Sequence, residues 1–171
     1  MLRLAKAFFD IALWRQTPAH LPASLLLLAI VAAASALLDV AGALLPPGPN
    51  GAILITVLLG VGLPLAFTGM VLKLARRPQR FLQTASALLG VGVLAEILLY
   101  PLGALLTLIG ADGFVSILVR LLLNVGVIWY LLACAHIWRA ALDSGLLLGG
   151  AISVGYLILS IALEQQILPQ A

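Results

Sequence analysis

Five long apolar runs divide this chain, and its charged residues gather in the short stretches between them. The runs cover about residues 21–45, 52–74, 81–109, 114–138 and 145–168. A helix rises about 1.5 Å per residue, and the hydrocarbon core of a bilayer is about 30 Å thick. Each run is therefore long enough to cross. Pro46-Pro47-Gly48-Pro49-Asn50-Gly51 is an uncharged turn after the first. Gly110-Ala111-Asp112-Gly113 turns the third into the fourth. Gly60, Gly62 and Pro64 interrupt the second, and Pro64 should kink it, because proline lacks the N–H that an upstream carbonyl needs. Trp129, Tyr130 and Trp138 gather toward the end of the fourth, as expected near a membrane interface.

Residues 1–16 have a different pattern. As a helix they place Arg3, Lys6 and Asp10 on one narrow face, with Lys6 and Asp10 as an i,i+4 pair. Leu2, Leu4, Phe8, Phe9, Ile11, Leu13 and Trp14 fill the rest. Such a helix lies in the membrane interface or packs on the bundle, and the pattern leaves both open. Pro18 ends it, and Pro22 suits the first turn of the next helix.

Composition agrees. The 171 residues are 64% hydrophobic and 9% charged, against about 25% charged in soluble domains. Mean hydropathy is +1.23. The reading is an all-α polytopic membrane protein: one domain of five transmembrane helices plus an N-terminal interfacial amphipathic helix. Ala32-Ala33-Ala34 imitates a signal-peptide cleavage motif, but it sits inside a run long enough to span. The single cysteine, Cys134, permits no internal disulfide.

Charge then sets orientation. Arg3, Lys6 and Arg15 precede the first span, Lys73, Arg76, Arg77 and Arg80 follow the second, and Arg139 follows the fourth. The alternate loops carry no Lys or Arg. By the positive-inside rule the N-terminus is cytoplasmic and the C-terminus lies across the membrane, periplasmic if the membrane is a bacterial inner membrane. The net charge of +3 points to lipid head groups, not to nucleic acid.

Three features carry candidate chemistry. Glu96 sits mid-span, where an ionisable group costs at least about 2.5–3.5 kcal/mol and needs a partner. Spans three and four form a hairpin, and Glu96 and Asn124 are about equally far from its turn. Arg120 is one helical turn from Asn124, and Tyr100 one turn from Glu96. The expectation is a buried cluster of Glu96, Tyr100, Arg120 and Asn124, serving as a ligand or ion site or as a structural pair that sets helix register. The basic hinge Lys73, Arg76, Arg77 and Arg80 either binds anionic lipid or a partner, or fixes topology alone. Gly145-Leu-Leu-Leu-Gly149, continued by Ser153, is a small-xxx-small face for packing within the bundle or for dimerisation.

Catalytic and metal templates fail. His20, His136 and Cys134 do not converge, and Ala151-Ile152-Ser153-Val154-Gly155 lacks the first Gly of a nucleophile elbow. There is no phosphate loop, no H-E-x-x-H motif and no close carboxylate pair. The expectation is a non-enzymatic protein without cofactor or metal. It works as a membrane scaffold through lateral contacts with lipid, a membrane-protein partner or a second copy. The alternative is a small transport or permeation subunit built around Glu96 and Arg120.

One resemblance bears on this. Trp14-Arg15-Gln16-Thr17-Pro18-Ala19-His20-Leu21-Pro22-Ala23-Ser24 precedes the first span. Arg80-Phe81-Leu82-Gln83-Thr84 opens the third, and Ala135-His136-Ile137-Trp138-Arg139-Ala140-Ala141-Leu142 closes the fourth. The pattern resembles inner-membrane proteins of Gram-negative bacteria grouped with the Yip domain family. That resemblance covers most of the chain and implies five spans with the N-terminus inside. Eukaryotic members of that family associate with small GTPases and shape or traffic membranes. Their long polar N-terminal segment has no counterpart ahead of Leu21, and no family functional residue carries over.

Overall fold

A computed structural model describes residues 2–44, 53–110 and 112–167, without the side chains of Leu2, Arg3 and Ile53. All the regular structure among them is helical. Helix α1 is Leu2–Ala12 and α2 is Leu25–Ala43. The second run comprises α3 (Ile53–Val57), a π-helical turn (Leu58–Gly62) and α4 (Leu63–Leu74). The long helices α5 (Phe81–Ile109) and α6 (Phe114–Leu142) follow, then α7 (Leu146–Ile167). Five of these segments have the length and apolar character of membrane spans. The Pro46–Gly51 turn expected from the sequence lies outside the described residues.

The breaks follow local chemistry. Ser24 caps α2 by accepting a hydrogen bond from the Leu27 N–H at 3.4 Å. Pro64 stands at the start of α4, immediately after the π turn. Its missing N–H cannot continue the i→i−4 ladder, and the chain widens there by one residue. Pro101 lies inside α5, which runs through it.

Helix α5 packs against α1, α2, α4 and α6, and α7 lies on α6. Helix α1 packs on the bundle by one face: Ile11 and Ala12 are fully buried and Phe8 packs over Gly90 of α5, while Phe9, Leu13 and Trp14 stay exposed. Asp10 is buried too and accepts from the Gln16 amide at 3.4 Å; it forms no salt bridge with Lys6, which is exposed. His136 Nε2 donates to the Gln16 carbonyl at 3.1 Å, and its ring stacks on Trp14. Trp138 is not a belt residue. It is 2% exposed and meets Phe67 edge-on at 6.0 Å.

The basic hinge closes one end of the bundle. Arg80 Nη1 donates to the carbonyls of Ala140 and Ala141, at 3.0 and 2.9 Å, capping α6 where no further turn can satisfy them. Arg80 Nη2 lies 2.9 Å from the Asp143 carboxylate, and Arg77 bonds the same oxygen. Asp143 is left-handed at φ 46° and ends the helix. Lys73 and Arg76 remain exposed. Of the four hinge residues, two are therefore engaged within the chain and two face outward.

The Arg80 and Arg77 hydrogen bonds hold the Asp143 carboxyl below its ordinary range. A lowered folded value stabilises the clamp above the unfolded pKa of about 4 and is lost as pH falls through the folded value. Hydrogen exchange at the Asp143 and Ser144 amides, both bonded to the Arg139 carbonyl, should therefore quicken below about pH 4. Asp143→Asn should remove that acid dependence. An unchanged pH profile in the variant would disprove the clamp.

Candidate intramembrane site

The site grows from two polar pairs at matching positions on neighbouring helices. On α2, Ser35 and Asp39 are four residues apart; on α5, so are Glu96 and Tyr100. Each pair therefore occupies one helix face, one turn apart. Helices α2 and α5 run in the same direction, so the two faces meet in register. Ser35 Oγ donates to Glu96 Oε1 at 3.3 Å, and the Tyr100 hydroxyl donates to Asp39 Oδ1 at 3.1 Å.

Two glycines make this approach possible. A side chain at Gly42 would overlap the Tyr100 ring, and one at Gly60 would overlap the Asp39 carboxylate. Gly60 lies in the π turn, so the irregular segment of the second span is the wall against which Asp39 rests. Ser35 and Asp39 are 1% and 3% exposed.

Beside this pair of pairs lies a cavity of about 440 Å³. All five spans wall it. Asp39, Glu96 and Tyr100 line it together with Glu164 of α7. Phe67, Tyr130, Trp138 and Tyr156 supply aromatic walls. Two carboxylate oxygens, Asp39 Oδ2 and Glu96 Oε2, are buried without a hydrogen-bond partner among the described residues. A buried polar oxygen left unpaired costs about 1–3 kcal/mol, more when charged. The Ser86 and Ser144 hydroxyls are likewise unpartnered, but only Asp39 and Glu96 are carboxyl groups, and both residues line the cavity.

The four residues expected to cluster are not brought together. Glu96 and Tyr100 share one face, but their partners come from α2. Arg120 and Asn124 are exposed on α6, and the Asn124 amide donates to the Arg120 carbonyl of its own helix at 2.8 Å. The inward face of α6 carries Ser116, Val119, Gly126, Ala133 and Ile137. Arg120 lies five turns from buried Trp138 and shares its direction, but the first part of α6 is largely uncovered by the other helices. No contact forms because this stretch of α6 is exposed and not covered by a neighbouring helix.

The small-residue face is likewise divided. Gly149 and Ser153 are buried against α6, where Gly149 touches the backbone at Ala135 and Arg139. Ser153 Oγ donates to the Gly149 carbonyl at 3.0 Å. Gly145 has open space beside it.

Asp39, Ser35, Tyr156 and Glu164 were not singled out from the sequence, in which Asp39 stands near the far end of the first apolar run. A signal was present. Ser-x-x-x-Asp on one span and Glu-x-x-x-Tyr on another that crosses in the same direction are complementary in donors and acceptors. No protein-family model matches the chain, no curated protein is similar to it, and no solved structure matches the bundle.

Proposed function

We propose that this integral membrane protein is a small binding or permeation subunit, and that its site is the cavity between Asp39, Glu96 and Glu164. The observation that supports this reading is one cavity, walled by all five spans and lined by Asp39, Glu96 and Glu164, within the membrane-spanning segments. A purely structural polar pair would be filled by its partners, since ionisable groups in a bilayer are retained where they pair or line a pathway. The reading is non-enzymatic: the chemistry available is hydrogen bonding and charge.

Placement in a bacterial inner membrane, with the basic end cytoplasmic, belongs to the same proposal. The connector before α2, the hinge after α4 and the α6–α7 junction meet at one end of the bundle, through Gln83 to Leu21 and Arg80 to Ala141. The positive-inside rule puts that end in the cytoplasm. Kinship to the Yip domain family stays part of it on the residues quoted above.

A second reading, a membrane-organising scaffold, draws support from Lys73 and Arg76. These cations face outward beside exposed Leu74 at the basic end, as a contact with anionic head groups requires.

One measurement separates the two. With Cys134 replaced by Ala, a Glu96→Cys thiol in membrane vesicles should react readily with a membrane-impermeant reagent, at a rate well above that of a cysteine at buried Ala87 on the same helix. Equal protection of both thiols from either side would sink the cavity reading and favour the scaffold.

A further inference from the structure

We propose that the cavity takes a lipophilic organic cation, which enters in exchange for a proton on the Asp39 or Glu96 carboxyl group. The proposal rests on the binding reading above and names its substrate class.

The wall selects charge first. Asp39, Glu96 and Glu164 line the cavity, and among the described residues no Lys, Arg or His does. An anion would meet three carboxyl groups and no counter-charge. A neutral ligand would bring no counter-charge to the three carboxyl groups. Asp39 is nearly fully buried, with Oδ1 bonded by Tyr100 and Oδ2 against Gly60, so its carboxyl group is held in one orientation beside the cavity.

The wall also selects the kind of cation. A hard metal ion needs several oxygens converging within about 2.3–2.6 Å. Among the described residues no group of three or more His, Cys, Asp or Glu is placed to hold one. The aromatic faces suit a larger and softer charge. Phe67 and Tyr156 lie 5.2 Å apart, and Phe67 meets Trp138 at 6.0 Å. Aromatic faces attract organic cations through their quadrupoles, most strongly where water is excluded. A cavity of about 440 Å³ matches the range of about 300–1,000 Å³ in which drug-sized ligands bind.

Charge balance gives the coupling. As the cation arrives, the carboxyl O–H bond breaks, the proton leaves to water and the carboxylate keeps the electron pair that faces the cation. Proton and cation compete for the same oxygens. The titratable groups around those oxygens are Asp39 on α2, Glu96 and Tyr100 on α5, and Glu164 on α7. Across the cavity stand Tyr130 and Cys134 on α6, and Tyr156 on α7. The second span contributes no titratable lining group.

The test uses the full chain in lipid nanodiscs and isothermal titration with tetraphenylphosphonium. Triphenylphosphine oxide serves as a neutral compound of similar shape. The expected result is saturable cation binding that weakens about tenfold or more in Asp39→Asn, because a desolvated charge pair is lost. Binding should also weaken from mildly alkaline to mildly acidic buffer, and the neutral compound should not compete. Glu96→Gln carries the same test if Asp39→Asn does not fold, and the pH series needs no variant. Three results would each overturn the proposal: no saturable binding, equal binding of the neutral compound, or binding indifferent to both pH and the carboxyl variants. A reactive Glu96→Cys thiol with no cation binding removes this proposal and leaves the cavity reading standing; a protected thiol removes that reading itself.

Discussion

Gly149→Leu separates α6 from α7 and lowers stability by about 3 kcal/mol, toward the upper end for overpacked positions. The reason is what surrounds Gly149. A Cβ there would overlap the Ala135 carbonyl oxygen and sit 3.1 Å from both the Ala135 carbonyl carbon and the Arg139 amide nitrogen. All three are backbone atoms of α6. A side chain can rotate aside, but a helix backbone can move only as a unit. The whole interface must therefore open, and the contacts along it are lost together. Thermal unfolding in one detergent should show a midpoint about 10 °C lower. Gly150→Ala is the matched control. Nothing lies within 4 Å of a Cβ at Gly150, and alanine is favoured over glycine in a helix by about 1 kcal/mol. That variant should hold or slightly raise the midpoint. If both variants behave alike, the close crossing of α6 and α7 is disproved. The same comparison bears on dimerisation. Gly149 and Ser153 are spent on α6, so a dimer through this face would have to form around Gly145.

Trp138→Ala is the second large effect, at about 3–5 kcal/mol. Trp138 is among the largest fully buried side chains, and its ring edge packs on Phe67. In a bilayer its removal costs chiefly lost van der Waals contact, because lipid tails are as apolar as the protein interior. The lower half of that range is therefore expected. The change has a second consequence. Trp138 lines the cavity one helical turn from Cys134, which is buried at 6% exposure and lines it too. Truncation should widen the cavity toward the basic end and speed modification of the native Cys134 thiol. A lower midpoint without faster modification would mean that the bundle collapses into the space. An unchanged midpoint would contradict the packing described here.

Much of this architecture was legible in the chain. Third-span limits of 81–109 coincide with α5, and the fourth span was short by one turn because Arg80 sustains α6 to Leu142. Pro64 marked the interruption of the second span, although the break is a π turn and not a simple kink. Glu96 and Tyr100 were legible as members of a buried polar site because ionisable and hydroxyl groups stand out in an apolar helix. Their partners were not. Arg120 and Asn124 had the right chemistry and point close to the directions of buried Trp138 and Ala135, yet their stretch of α6 is left exposed by the other helices. Asp39 stands near the far end of the first apolar run, and only its contact with Tyr100 and its rest against Gly60 show that it belongs to the interior.

The sequence by itself determined that the chain is helical, that five segments are long enough to span, and at which end of the bundle the cations collect. Helix length, apolarity and charge are one-dimensional properties, and each can be counted along the chain. Tertiary structure alone decided which helices touch and which way each faces. In a soluble bundle an apolar stripe would reveal the inward side, because water penalises the other face. Lipid imposes no such penalty. Leu, Val and Ile surround every span, and rotation is settled by close packing at small residues such as Gly60 and Gly149 and by the few hydrogen bonds that polar side chains can find.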